Sequence, residues 1–420
     1  MSSKNVSNEK NIYQEESKVY LGNVKNNFML KKKFDCIERV KSLLIMKCNK
    51  KLQNRLNISI NDYKEYSQLF STIEIELKAP SNKFGDFINI PDKDKDYYHI
   101  YFDNSTEEIK RNLLYRYEYV KTINIRIDHQ VTSFKKLFEN CDCIDSISFK
   151  KFTRNNITDM SYMFYNCIPV KKLNFSNFNT SNVTNMSHMF EGCSSLEELN
   201  LSNLNNSNAA NMSYKFYKCT SLKKFNFSNF NTSNVNNMSY MFEGCSSLEE
   251  LNLSDFNTIN VTNMSYMFYK CPLLKKLNLS SFNTINLNDM SYMFNECTSL
   301  EEVNLSNFNT SNVTNMDSMF SGCKLLKELN LSNFNTNNAI NMSMMFSYCS
   351  SLKKLNLSNF TSDKVNEIGG MFFGCSSLKE LNLNFFKFNI KKTANKSKMF
   401  YGCSDELQKK IKEQLKSMKN

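Results

Sequence analysis

From Cys141 to Cys375 the apolar residues recur with a period of 26. One unit, Asn182–Ser207, carries them at Val183, Met186, Met189, Phe190, Cys193, Leu196, Leu199, Leu201 and Leu204. Two spacings lie inside this unit. Val183, Met186, Met189/Phe190 and Cys193 are three or four apart, which predicts a short helical stripe. Leu199 and Leu201 flank Asn200, which predicts a strand with alternating faces. A turn through Ser194-Ser195 joins the two. The Ser-Asn-Phe-Asn-Thr stretch that follows carries the chain back, because Asn and Ser satisfy backbone groups in turns.

One such unit cannot bury its stripe alone, whereas stacked units wall one another. The Leu-x-Leu strands, from Ile147-Ser148-Phe149 to Leu381-Asn382-Leu383, then form a parallel sheet at roughly 4.8 Å spacing. Phe138, Phe164, Phe190, Phe216, Phe242, Phe268, Phe294, Phe320, Phe346, Phe372 and Phe400 hold one position throughout, which predicts an internal phenylalanine stack. Cys141, Cys167, Cys193, Cys219, Cys245, Cys271, Cys297, Cys323, Cys349 and Cys375 do the same, and Cys403 follows after 28 residues. Disulfide and zinc frameworks use short paired spacings. One cysteine per unit reads as a buried, small apolar residue.

The parts outside the repeat have other patterns. Residues 1–25 are polar and charged, with few apolar anchors, and are expected to be disordered. Residues 26–70 show helical alternation around Phe28 to Met46. Ile73–Leu77, Tyr98–Phe102 and Ile123–Ile127 alternate as strands, and Glu107–Tyr117 reads as a helix. A small α/β module over 26–130, doubling as the N-terminal cap, is expected. At the other end Leu407, Ile411, Leu415 and Met418 predict an amphipathic capping helix over 404–420, after a solenoid over 131–403.

Composition narrows the chemistry. The 420 residues include no Trp, 9 Gly, 4 Pro and 3 His. No apolar run approaches the ~20 residues of a membrane helix, and Met1–Tyr20 lacks the apolar core of a signal peptide. The net charge of +12 is spread along the chain, so no nucleic-acid partner is expected. No phosphate-binding glycine loop occurs. His99, His129 and His188 lie in separate segments, and His188 occupies a slot that is Tyr in most units. Cys143 lacks a basic partner and reads as packed. No catalytic residue, cofactor or metal site is expected.

The two residues before each strand alternate in sign: Lys171-Lys172, Glu197-Glu198, Lys223-Lys224, Glu249-Glu250, Lys275-Lys276 and Glu301-Glu302. In a parallel stack they become a column of neighbours that fixes register. Glu250 is expected to meet Lys224 and Lys276. Lys215 stands where other units have Met, and its charged head is expected to snorkel to the edge.

The repeat Met-Phe-x-x-Cys-Ser-Ser-Leu-x-x-Leu-x-Leu, as in Met189–Leu201 and Met241–Leu253, with Asn-Val-Thr-Asn-Met-Ser between units, resembles the BspA-like leucine-rich-repeat family. In particular it resembles the branch known from mycoplasma surface lipoproteins and many protist proteins. The resemblance implies an α/β fold: a leucine-rich-repeat solenoid with a parallel β-sheet on one face, preceded by the small α/β capping module. It also implies a non-catalytic protein that binds proteins or host-cell ligands, often at a cell surface. The chain departs from the surface proteins in lacking a signal peptide and a lipobox-like cysteine, so a cytoplasmic location is expected, with the cell surface as the alternative. Sequons such as Asn185-Met186-Ser187 fall at return positions of the repeat.

The expected function is a protein-interaction scaffold with no membrane span, binding a protein ligand on the outward strand face. That face carries Asn174, Asn200, Asn226, Asn252, Asn278, Asn304, Asn330, Asn356 and Asn382, beside Lys224, Glu250 and Lys276. An extracellular adhesin is one alternative. A substrate adaptor recruiting a ligase through a faintly F-box-like stretch, Phe28–Tyr66, is the other.

Overall fold

The structure is a computed structural model that describes residues 30, 50–56, 71–80, 82–176, 178–204, 207–228, 230–361, 364–381 and 397–417. The expected tail over 1–25 and most of the stretch 26–70 lie outside these residues. Of that stretch, Lys50–Leu56 forms helix α1.

Three strands expected from alternation are present as β1 (Ile73–Lys78), β3 (Tyr98–Phe102) and β5 (Thr122–Ile127). They pair antiparallel, with Ile75 opposite Ile125 and Ile100 opposite the same residue. Their alternate isoleucines are buried while the residues between face outward, as a half-buried sheet requires. A short ribbon joins β2 (Gly85–Asp86) to β4 (Leu113–Leu114). The helix expected over Glu107–Tyr117 does not form. Its backbone is used by tertiary pairing: Ile109 N–H donates to Ile100 O at 2.8 Å, and Phe87 N–H donates to Asn112 O at 3.0 Å. Groups so engaged cannot close helical turns.

The small sheet is continuous with the repeats. Strand β6 (Ser146–Lys151) pairs antiparallel with β1 and parallel with β7 (Lys172–Asn174), giving the order β3-β5-β1-β6-β7. The first coil therefore has its edge covered by the preceding module, which removes an open edge.

Beyond it the strands are three residues long: β8 (Glu198–Asn200), β9 (Lys224–Asn226), β10 (Lys276–Asn278), β11 (Glu302–Asn304), β12 (Glu328–Asn330) and β13 (Lys354–Asn356). They are parallel but pair in twos, β8 with β9, β10 with β11 and β12 with β13. The uninterrupted sheet expected from the repeat is thus broken. Between β11 and β12 the outward neighbours are Glu302 and Glu328, like charges that oppose pairing. But β7 and β8, with Lys172 beside Glu198, do not pair either, so charge does not account for every break. Glu250-Leu251-Asn252 forms no strand although its letters equal those of β8, and nothing in its sequence explains this. The tenth expected strand, Leu381–Leu383, lies mostly outside the described residues.

The helical stripe is the main correction. Residues 160–167 form two consecutive turns, not a helix. The N–H groups of Met160, Tyr162, Phe164 and Asn166 donate to the carbonyls of Asn185, Ser187, Met189 and Glu191 in the next coil, at 2.9, 3.1, 2.9 and 2.7 Å. Those of Met163, Tyr165 and Cys167 turn back to the residue three before. A helix would send every one to the residue four before. Tyr162 and Asn166 have φ of 58° and 53°, and the equivalent His188 and Gly192 have 58° and 75°. Left-handed residues at every fourth position end any α-helix, yet turns closing over three residues leave the apolar spacing at three and four. At Gly192 a Cβ would fall 2.2 Å from Asn166 Oδ1, so the Asn166 side chain would have to move aside for a larger residue, whereas Lys218, Lys270 and Glu296 hold the same left-handed position in other coils.

On this side a column of isolated parallel bridges runs without a break from Ser133–Asp159 to Asn341–Glu367. It binds the coils where the strand face is interrupted.

The interior is made of repeated columns. All eleven phenylalanines stack on their neighbours, with centroids 5.3 to 5.9 Å apart. Each cysteine thiol from Cys167 to Cys403 donates to the phenylalanine carbonyl of the preceding coil, as Cys193 does to Phe164 O at 3.1 Å. The polar return is bonded across coils too. Thr258 Oγ1 donates to Asn283 O at 2.9 Å and accepts from Asn283 N–H at 2.9 Å, and Thr232, Thr284, Thr310 and Thr336 repeat the motif. A buried hydroxyl used both ways is satisfied. Asn260 Nδ2 reaches Ser233 O at 2.7 Å. The sequon Asn185 accepts from Ser187 N–H and hydroxyl, at 3.1 and 2.9 Å.

The last coil carries helix α2 (Asp405–Ser417). Ser404 Oγ accepts from Leu407 N–H at 3.3 Å as an N-cap, and Asp405 and Glu406 sit in the first turn, where the helix dipole favours acids. Leu407 and Ile411 are buried. Met418 and the side chain of Leu415 lie outside the described residues.

Candidate functional site

The outward strand face bears the residues that the sequence singles out. Asn200, Asn226, Asn252, Asn278, Asn304, Asn330 and Asn356 are all exposed on it, one per coil, and Asn382 lies outside the described residues. Each described one has a local task. The Oδ1 of Asn200 accepts from Ser202 N–H at 3.0 Å, and Asn226, Asn252, Asn278, Asn304, Asn330 and Asn356 do the same two residues on, at 3.0 to 3.1 Å. This Asx turn ends the strand. One lone pair of the oxygen is therefore engaged in the turn.

The charge column forms in part. Glu198 binds Lys224 at 2.9 Å, Glu249 binds Lys275 at 2.9 Å, Lys276 binds Glu302 at 3.2 Å and Glu328 binds Lys354 at 2.6 Å. Hydrogen bonding to Lys224 and Lys275 lowers the pKa of Glu198 and Glu249. Glu250 is not in the column as expected: among the described residues it forms no ion pair with Lys224 or Lys276. It lies on the coil that forms no strand, although Glu249 beside it still binds Lys275.

Two grooves open where the sheet is interrupted. The larger, about 900 Å³, spans β1, β6, β7, β8 and β9. Its floor includes the half-buried Leu173 and Phe225, and its walls include Glu76, Lys78, Lys150, Lys171, Lys172, Glu197, Glu198 and Lys224. The smaller, about 650 Å³, is lined by Glu250, Leu251, Asn252, Lys276 and Glu302 among others. Lys78 was not singled out by sequence, because it joins the face only through the pairing of β1 with β6.

A second surface column also went unread. Tyr162, His188, Tyr214, Tyr240, Tyr266 and Tyr292, all at left-handed φ, stack with centroids 4.3 to 4.7 Å apart. His188 is thus half-buried between two tyrosines and binds Glu191 at 2.5 Å. The signal was a tyrosine at one position of the unit. Beside this column Glu243 is buried, its Oε2 has no partner, and burial raises its pKa to about 7.

Lys215 corrects another expectation. It does not snorkel. It is wholly buried, with Nζ 3.5 Å from Met186 Sδ and 4.9 Å from the centre of the Phe230 ring. Burial lowers its pKa to about 7. It occupies the core-facing position that is Met in other units, packed against Met186 and Phe230.

Reactive chemistry finds little footing. Cys143 is buried, its thiol donating to Gly85 O and Asp86 O, and burial pushes it up to about 12. The thiols of Cys193, Cys245, Cys297 and Cys349 are likewise pushed up to about 12 by burial. A thiol so shifted is not a nucleophile at neutral pH. His99 is held by Glu108 at 2.8 Å and Asp128 at 3.2 Å. Among the described residues no cluster of His, Cys, Asp and Glu suits a metal, and no helix is long and apolar enough to cross a membrane.

A family model described as "Mycoplasma protein of unknown function, DUF285" matches residues 132–250, 223–303 and 288–414. No curated protein matches. Among solved structures, a leucine-rich repeat protein from Bacteroides ovatus is 16% identical over 65% of this chain and 88% of its own, with a TM-score of 0.22. One from Eubacterium ventriosum is 12% identical over 62% and 90%, with a TM-score of 0.20. A TLR13–ssRNA13 complex is 17% identical over 58% and 38%, with a TM-score of 0.26.

Proposed function

The chain belongs to the DUF285 family, of the BspA-like leucine-rich-repeat kind, and we propose that it is a non-catalytic scaffold that binds a protein ligand on the strand face of its solenoid. One observation carries the reading. The strand face combines an open polar array with grooves: Asn, Lys and Glu stand exposed on it, and two grooves cut into it where strands fail to pair. The opposite side is consumed by its bridge column and its stacked tyrosines. Regular solenoid surfaces suit extended binding.

The test is photo-crosslinking in the cells that produce the protein. A photoreactive residue replaces Asn226, Asn278 or Asn330 in turn on the strand face, or Tyr240 on the opposite side. Polypeptide adducts from the strand-face positions and none from Tyr240 are expected. Equal adducts from both sides, or none, contradict the reading. The adhesin alternative places the same face outside the cell, and protease shaving of intact cells separates it. The adaptor alternative requires a ligase subunit to co-purify through residues 1–130.

A further inference from the structure

Strand pairing brings Lys78 together with two adjacent lysines, Lys171 and Lys172, that are far from it in sequence. Lys78 lies opposite Ser146, and Ser146 lies opposite Lys172, so the two lysines flank a small residue across three strands. At one strand spacing per step they stand roughly 10 Å apart at the backbone. Lys171 adjoins Lys172, and both its N–H and that of Lys172 are tied to Asp145 O. All three side chains are exposed on the wall of the larger groove.

Their charge is not answered from within. The groove is lined by five lysines and three glutamates. Glu76 is taken by Lys150 at 3.0 Å, and Glu198 by Lys224 at 2.9 Å. Among the described residues, Lys78, Lys171 and Lys172 form no ion pair, and only Glu197 remains on the wall to face them. Lys224 in the groove, and Lys275, Lys276 and Lys354 further along the face, each have a carboxylate partner. Lys223, Lys327 and Lys353 also form no ion pair among the described residues, but of the two grooves only the larger is lined by three such lysines. The smaller groove has the opposite balance, since Lys276 is paired with Glu302 and Glu250 is left over.

We propose that the larger groove binds an extended acidic segment of a partner protein, its carboxylates on Lys78, Lys171 and Lys172 and its apolar residues on Leu173 and Phe225. This rests on the strand-face reading above and names the partner's chemistry. In an extended segment alternate side chains are about 7 Å apart on one face. That spacing lets two acids on one face of the segment reach the lysines on either side of Ser146, while apolar residues further along the same face meet the half-buried floor. Nucleic acid fits less well: the groove has no arginine, and Glu76, Glu197 and Glu198 on its walls oppose a continuous phosphate backbone.

The test uses the full chain and a short fluorescein-labelled peptide with two glutamates and then two leucines at every second position and serine between them, followed by fluorescence anisotropy. Binding is expected, weakening as salt rises. Lys171→Glu combined with Lys172→Glu reduces affinity by about tenfold or more. Lys171→Gln with Lys172→Gln reduces it less, and Lys353→Glu, at the far end of the column, leaves it unchanged. No binding, equal loss in Lys353→Glu, or tighter binding of a single-stranded oligonucleotide at the same lysines overturns the inference. If the peptide fails while photo-crosslinks at Asn226, Asn278 and Asn330 still capture polypeptide, the acidic groove is wrong and the strand-face reading stands.

Discussion

The ring of Phe268 lies parallel to that of Phe294 in the next coil, 5.6 Å away and 1° out of plane. Phe242 lies on its other side at the same distance and angle. Phe268→Ala therefore opens a void between two rigid neighbours that backbone bonds hold in place, and destabilisation of about 3–5 kcal/mol is expected. Denaturant unfolding of the variant measures it. A loss below ~1 kcal/mol would mean that the coils close over the gap.

Twelve of the fourteen cysteines are described, and all twelve are buried and free. Their thiols are held both by burial and, from Cys167 on, by a phenylalanine carbonyl. Alkylation of the native chain near neutral pH should leave these twelve untouched and modify them together as the solenoid unfolds. Mass spectrometry of iodoacetamide-treated protein along a denaturant series checks this. Labelling of Cys193 or Cys271 before unfolding would place them outside the core.

Lys215 should give the fold a pH dependence. Its pKa is about 7 in the folded chain against 10.5 ordinarily. Between these values the unfolded chain holds the proton that the folded chain has released, so stability rises with pH across that window. Below pH 7 this contribution is flat at its least favourable. Lys215→Met restores the residue of other coils and should be more stable than wild type at pH 7, with the advantage narrowing toward pH 9. An advantage that does not change with pH would contradict a neutral buried amine.

Glu243 acts in the opposite sense. Burial raises its pKa to about 7 from 4.5, so the folded chain holds the proton more tightly and stability falls as pH rises between those values. Glu243→Gln should remove that slope and melt higher than wild type at pH 8, while the two converge at pH 4.5. Thermal melts at both pH values decide it.

The charge column is tested at Glu198 and Lys224, 2.9 Å apart. Glu198→Lys alone should lower the melting temperature slightly, and Glu198→Lys with Lys224→Glu should restore it. Both side chains are well exposed, so the effect is small and fades in high salt. Glu250 reversed to Lys should have no comparable partner effect.

What could be read from the sequence follows from what the repeat fixes. Phenylalanine, cysteine and leucine columns were legible because identical residues at a constant period share one environment, and Phe268 between Phe242 and Phe294 is the direct result. The turn segment was not legible as turns. Met186, Met189, Phe190 and Cys193 are spaced as a helix would space them, and only the left-handed φ at His188 and Gly192 separates the two cases. Lys215 misled for another reason: a long cationic side chain ordinarily reaches water, but here it occupies the core-facing position that is Met in other units. The candidate face was legible at Asn200 and Lys224, which repeat. Lys78 was hidden, because its place beside Lys172 depends on pairing between segments nearly a hundred residues apart.

The coil is the unit of structure, and excision of whole coils tests this most directly. Removing residues 234–285, two coils, joins Ser233 to Asn286 in register and brings Lys224 beside Glu302. Small-angle scattering and denaturant unfolding of this chain should show a shorter solenoid that still unfolds cooperatively, whereas removing residues 234–272, one coil and a half, should give an unfolded or aggregated chain. If both deletions behave alike, whether folded or unfolded, the stacked-coil account is wrong.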